Sequence, residues 1–157
     1  MKILLLVIGK TDEDHLLAGI KKYVGRIDHY ASFEMKELPD PRNRKTLSEE
    51  QQKKAEGSLL LSQLQPSDHV VLLDENGKQF GSLQFAENLE KQMASGVKRL
   101  VFVIGGPYGF APEMYARANA KLSLSPMTFS HQMVRLIFVE QLYRAFTILK
   151  GEPYHHQ

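Results

Sequence analysis

The chain has 157 residues, of which 43% are hydrophobic and 24% charged, a formal charge of +2 and no cysteine. That length is enough to bury one core, so a single domain over residues 1–157 is expected, with the composition of a globular protein. Without cysteine there are no disulfides, thiolate zinc sites, iron–sulfur clusters or cysteine nucleophile, and no apolar run approaches the ~20 residues that cross a bilayer.

Residues 3–8 form a continuous apolar run, the pattern of a strand covered on both faces. The run is too short for a signal peptide and leads directly into Lys10-Thr-Asp-Glu-Asp14, so a buried first strand and a cytoplasmic protein are expected. Residues 12–30 read as a helix, with Leu16, Leu17, Ile20, Tyr23, Val24 and Ile27 at helical spacing; 33–38 alternate as a strand, and 39–45 form a loop. Ser48 with Gln51 three positions on is a capping box, opening a helix to about residue 64. Residues 69–73 read as a second buried strand, stopped by a turn at 74–77. An amphipathic helix over 82–93 and a third strong strand at 100–104 follow. Pro112 suits the first turn of a short helix, 122–124 a short strand, and Ser130 the cap of a long helix reaching residue 149. The alternation implies an α/β fold: a mostly parallel sheet with helices on both faces. The last helix is apolar all round at Leu136-Ile-Phe-Val139, which fits either a central core helix or one shared with a partner subunit.

Chemistry-bearing residues crowd the last third. Gly105 and Gly106 follow a buried strand directly, where backbone amides can approach a ligand or simply turn the chain. The run is neither a dinucleotide fingerprint nor a phosphate loop. Asp74 ends another strand, where it can read a ribose or terminate the strand. Ser123, Ser125 and Thr128 alternate with Leu124 and Met127 around Pro126, in a segment able to wrap a planar ligand or to lie as a surface loop. The histidines lack metal-ligand spacing, so no metal is expected. Arg42, Arg44, Lys45, Lys53 and Lys54 offer a basic face for RNA phosphates, or an ordinary solvated one.

Taken together, these segments resemble the RlmH family, small SPOUT-superfamily methyltransferases of large-subunit ribosomal RNA, over essentially the whole chain. The likeness is carried by the Lys2-Ile3 opening through Gly9-Lys10 and by Leu72-Leu73-Asp74 with Gly77-Lys78. It is strongest in Phe102-Val-Ile-Gly-Gly106, Leu122-Ser-Leu-Ser-Pro-Met-Thr-Phe129, Glu140-Gln-Leu-Tyr-Arg-Ala-Phe146 and Pro153-Tyr-His155. The resemblance implies transfer of a methyl group from S-adenosylmethionine to N3 of a pseudouridine, in ribosomal RNA or the assembled ribosome. It also implies a homodimer and a C-terminal trefoil knot. Carried onto this sequence, the cofactor contacts fall on Leu73, Gly105, Leu124, Ser125, Pro126, Met127, Thr128 and Phe129. The chain departs from the family in Ser130, where proline is common, and in His156, where a basic residue is common. For catalysis we expect His155 to accept or relay the imide proton, Arg144 to stabilise negative charge on the base, and Tyr154 to stack on or hydrogen-bond it. His131 is expected to be structural. The rival reading is a non-enzymatic nucleotide- or RNA-binding module, which needs nothing from Tyr154 and His155.

Overall fold

The apolar opening run becomes β1 (Lys2–Ile8), and its side chains divide between two cores. Ile3, Leu5 and Val7 face one, Leu4, Leu6 and Ile8 the other, as the two-residue period of a strand requires. The computed structural model describes residues 1–156. After β1 come α1 (Asp14–Ile27), β2 (Ser32–Leu38), α2 (Glu49–Ser62), β3 (His69–Gln79), α3 (Ser82–Ala94), β4 (Arg99–Ile104), α4 (Pro112–Arg117), β5 (Ala120–Ser123) and α5 (Met133–Leu149). The five strands form one sheet in the order β2-β1-β4-β3-β5, every neighbouring pair parallel. Helices α1, α3 and α5 supply one core, and α2 and α4 the other.

Local signals set most of the boundaries. The Ser48–Gln51 capping box is present in both directions, and Pro112 opens α4. Ser130 accepts the Met133 N–H on its hydroxyl at 3.0 Å and the Val134 N–H on its carbonyl at 3.0 Å, so it caps α5 as expected. Helix α1 ends at Ile27, three residues short of the expected end. Tyr30 leaves the helix to stack on Phe146 at 5.7 Å and to donate to Glu152 at 2.5 Å.

Strand β3 departs most from its expected form. It does not stop at Leu73 but runs on to Gln79, with a register break between Leu73 and Lys78. Leu122 of β5 is the partner of both, so β3 leaves β5, loops over 74–77 and returns to it. The crossing is close: a Cβ on Gly77 would stand 2.7 Å from the Leu122 nitrogen. Only glycine lets two backbones approach that closely.

Helix α5 lies between α1 and α3 as a core helix, with Phe138, Val139, Leu142, Ala145 and Phe146 buried. One stripe, Met133, Ile137, Glu140, Arg144 and Ile148, stays at least partly open. Arg135 is the exception inside the helix, 1% exposed. It donates to the carbonyls of Ile8 at 2.7 Å, Gly9 at 2.9 Å and His131 at 3.1 Å, and to Thr11 Oγ1 at 3.0 Å. The guanidinium fork thus ties the start of α5 to the carboxyl end of β1.

A second arginine makes a lock at the opposite end of the strands, where β4 begins. Arg99 grips Asp68 through Nε at 2.8 Å and Nη2 at 2.6 Å, and the Gln65 N–H adds a bond at 2.7 Å. Burial pushes the Asp68 carboxyl up, but the bonds from Arg99 and Gln65 outweigh it and hold it below the ordinary value. A depressed carboxylate contributes stability above its unfolded pKa, and that stability is lost as pH falls through the folded one. We therefore expect Asp68→Asn to cost about 2 kcal/mol at neutral pH, and the difference from wild type to shrink steadily below about pH 4. Urea unfolding of both proteins across that range measures it; a gap that persists at the acid end would contradict the pairing.

Candidate active site

A cavity of about 530 Å³ opens beyond the carboxyl ends of β3, β4 and β5. Parallel sheets place ligand sites there because strand ends and following turns expose backbone groups together. One wall is Leu73 with Asp74 and Glu75, a second is the turn from Gly105 to Gly109, and a third is the irregular segment that joins β5 to α5. The glycine turn is tied by the Gly109 N–H to the Gly106 carbonyl at 3.2 Å, with Gly109 at φ +83°. A Cβ on Gly105 would sit 3.1 Å from the Phe110 ring and 3.3 Å from the Gly109 carbonyl oxygen. The turn therefore leaves main chain bare at Gly105 and Gly106, while Pro107 and Tyr108 add side chains to the cavity wall.

The third wall is shaped by its own hydroxyls. Ser123 donates to the Ser125 carbonyl at 2.9 Å, and Ser125 Oγ accepts the Met127 N–H at 2.9 Å. Met127 stands 77% exposed at the rim. The residues expected to hold the cofactor come together here, all on the cavity wall except Pro126, which is exposed at the bend of the segment. Two carboxylates guard the opening, each engaged by a hydroxyl: Thr128 donates to Glu75 at 2.7 Å, and Tyr115 donates to Asp74. Burial and then the Asp74 contact push the Tyr115 phenol up to about 12, so it stays a donor. His131 also lines the cavity; burial and then the nearby Arg135 lower its pKa and favour the neutral ring.

The catalytic candidates gather elsewhere. Arg144 donates to Glu140 at 2.5 Å and to His155 Nδ1 at 3.1 Å. Tyr154 donates to the same Glu140 oxygen at 2.9 Å, lies 3.3 Å from the Tyr23 hydroxyl, and packs edge-on against Tyr143 at 4.7 Å. The Arg144 guanidinium covers the Tyr154 ring at 4.8 Å. Burial and then the contacts to Tyr23 and Glu140 raise the Tyr154 phenol, so it keeps its proton. A guanidinium only donates, so His155 Nδ1 is an acceptor here and Nε2 carries the proton. The proton-accepting atom of His155 is thus occupied by Arg144 in this conformation.

The two groups lie far apart within one chain. Val134 borders the cavity, and Arg144 follows ten residues later, about 15 Å along the helix at 1.5 Å per residue. The basic residues form no part of either group. Arg42, Arg44 and Lys45 are exposed on the loop after β2, where Arg44 pairs with Asp40 at 3.1 Å, and Lys53 and Lys54 lie on the first turns of α2. Among the described residues no cluster of histidine and acidic side chains could hold a metal ion.

Sequence reasoning passed over Tyr115, Glu75 and Arg135. Arg135 carried a signal, a cation set among apolar residues at the start of a helix. Tyr115 and Glu75 carried none, since their partners are 41 and 53 positions away.

Comparison with known proteins yields two consistent findings. A family model described as "Predicted SPOUT methyltransferase" matches residues 1–155. Three relatives align over the full length of both chains and are each named Ribosomal RNA large subunit methyltransferase H. The protein of Christiangramia forsetii is 62% identical, and those of Parabacteroides distasonis and Flavobacterium johnsoniae are each 59% identical.

Proposed function

The chain belongs to the SPOUT methyltransferase family, and we propose that it uses S-adenosylmethionine to methylate N3 of a pseudouridine in large-subunit ribosomal RNA. The observation that carries this reading is the cavity itself, whose wall combines a glycine turn with main chain bare at Gly105 and Gly106, an apolar strand end at Leu73 and the Leu124–Phe129 segment. Its size lies within the usual range for small-molecule sites. Its donor set fits the cofactor: backbone groups and Leu73, Leu124 and Phe129 suit a flat base, while Asp74 and Glu75 suit ribose hydroxyls and a positively charged tail. When bound, the cofactor supplies an electrophilic methyl on a sulfonium. Methyl transfer of this kind needs neither metal nor cysteine.

The chain's own residues must hold the base and favour loss of its imide proton. Arg144 supplies a fixed positive charge for the base as it becomes an anion. Tyr154 offers an aromatic face and a phenol donor. His155 presents Nε2–H as long as Arg144 holds Nδ1; it takes up a proton only when substrate displaces that contact. The separation of the two groups within one chain supports a homodimer in which the tail of a second copy meets the cavity of the first, in the cytoplasm where the ribosome is made. The half-open stripe of α5, which leads into the tail, is the face we assign to that contact.

The test is to incubate the purified protein with labelled cofactor and either free large-subunit RNA or assembled ribosomes, with a chelator in excess. We expect a single methyl on one pseudouridine, located by mass mapping, and turnover unaffected by EDTA. A methyl on ribose or on a ring carbon, or turnover abolished by EDTA and restored by zinc or magnesium, would overturn the reading.

A further inference from the structure

Helix α2 buries two polar side chains one turn apart. Gln52 is 5% exposed and Glu56 is 2% exposed. Their spacing of four places them on one face of the helix. Gln52 Nε2 donates to Glu56 Oε2 at 3.3 Å, and Glu56 Oε1 has no partner at all. Buried polar atoms without partners are rare and call for a reason.

The carboxyl lies against the glycine turn. A Cβ built on Gly106 would stand 2.3 Å from Oε2 and 2.7 Å from Oε1. Gly106 borders the cavity, and Glu56 does not, so the carboxyl touches the turn from behind. Burial pushes this carboxyl up, and the bond from Gln52 pulls it back. Of the charges that bear on it, Asp40 raises it and Arg44 lowers it, and these two are paired with each other at 3.1 Å. Ala111, just before α4, and Met114 of α4 lie against the adjoining Gly57. The setting shifts the carboxyl towards its protonated form. With Oε2 accepting from Gln52, the acid proton belongs on Oε1, the orphan atom. The main-chain acceptors that the turn offers at Gly105 and Gly106 are its carbonyls.

We propose that Glu56 is a positioning residue for the cofactor: its carboxyl braces the glycine turn at Gly106 from behind and donates Oε1–H to a turn carbonyl when the cofactor seats against the other side. This rests on reading the cavity as the S-adenosylmethionine pocket. Seating then requires the protonated acid, so affinity is full at low pH and falls as pH rises and Glu56 ionises.

The experiment is calorimetric titration of S-adenosylmethionine into the full-length protein, Glu56→Gln and Glu56→Leu, from about pH 5 to about pH 9. Glutamine keeps the shape, accepts and donates as the neutral acid does, and has no proton to lose. At the acid end of the range we expect Glu56→Gln to bind within about threefold of wild type, and Glu56→Leu about tenfold more weakly, the scale of one lost hydrogen bond. With rising pH the wild type should weaken relative to Glu56→Gln. The cofactor's own titration is common to both proteins and cancels in that ratio. A ratio that stays constant with pH, or a folded Glu56→Leu that binds like wild type, overturns the role of Glu56 and leaves the pocket reading standing. If Glu56→Leu does not fold, the ratio alone decides. If the wild type binds no cofactor at any pH, the pocket reading falls first and the brace falls with it.

Discussion

A chain ending at Glu152 should bind S-adenosylmethionine as well as the full-length protein and turn over at least about a hundredfold more slowly, the scale of a lost acid–base or positioning group. The truncation removes Tyr154 and His155 but keeps Glu152, which anchors Tyr30. It leaves the cavity wall intact, since no tail residue lines it. Calorimetry and a single-turnover assay separate the two effects. Full turnover by the truncated chain would remove the tail from the chemistry and favour a module that only binds. A fall in affinity matching the fall in rate would place the tail at the cofactor instead.

Gly105→Val should do the reverse. Its Cβ alone meets the Phe110 ring at 3.1 Å and the Gly109 oxygen at 3.3 Å, and the two methyls of valine must go further. Either the turn opens or Phe110 moves, at a stability cost of about 1–3 kcal/mol. Because the turn is the cavity wall, cofactor affinity should fall at least about a hundredfold while circular dichroism stays native. Unchanged affinity in a folded variant would take Gly105 out of the site. Mixing the two defective proteins then tests the dimer. If the tail acts across the interface, a mixed dimer has one site that pairs the truncated chain's pocket with the valine variant's tail, and activity returns in proportion to mixed dimers. If each chain uses its own tail, both sites of the mixed dimer stay broken, and no activity returns despite subunit exchange.

The sequence disclosed what rests on short-range patterns. The apolar strands, the Ser48 box, Pro112 and the cap at Ser130 are local, and all appear where the pattern put them. Apolarity all round Leu136–Val139 likewise reflected a helix packed on several sides, although periodicity alone left open which surfaces cover it. The continuation of β3 past Leu73 was not legible, because Asp74, Glu75, Asn76 and Gly77 are turn formers in isolation and only the return to Leu122 makes them part of a strand. The cavity residues were legible through family likeness, since nothing in the spacing of Leu73, Gly105 and Thr128 says that they meet. Glu56 was hidden for the opposite reason. It sits among Lys53, Lys54 and Gln51 like any solvated helix residue, and only the folded chain, with the glycine turn against its carboxyl, makes it buried.

A ribosome synthesises β3 well before β5. Until Leu122 has emerged, the 74–77 loop has no strand to close upon, and the β3 residues on either side of it lack the β5 partners they have in the finished protein. Chains emerge at roughly 5–20 residues per second, so this unfinished stage lasts seconds during every round of translation. The cavity draws on residues from 73 to 134 and so cannot exist on a nascent chain that stops short of them. Products that terminate before Val134 should therefore be inert towards the cofactor, and catalytic competence should arrive late, with the last quarter of the polypeptide.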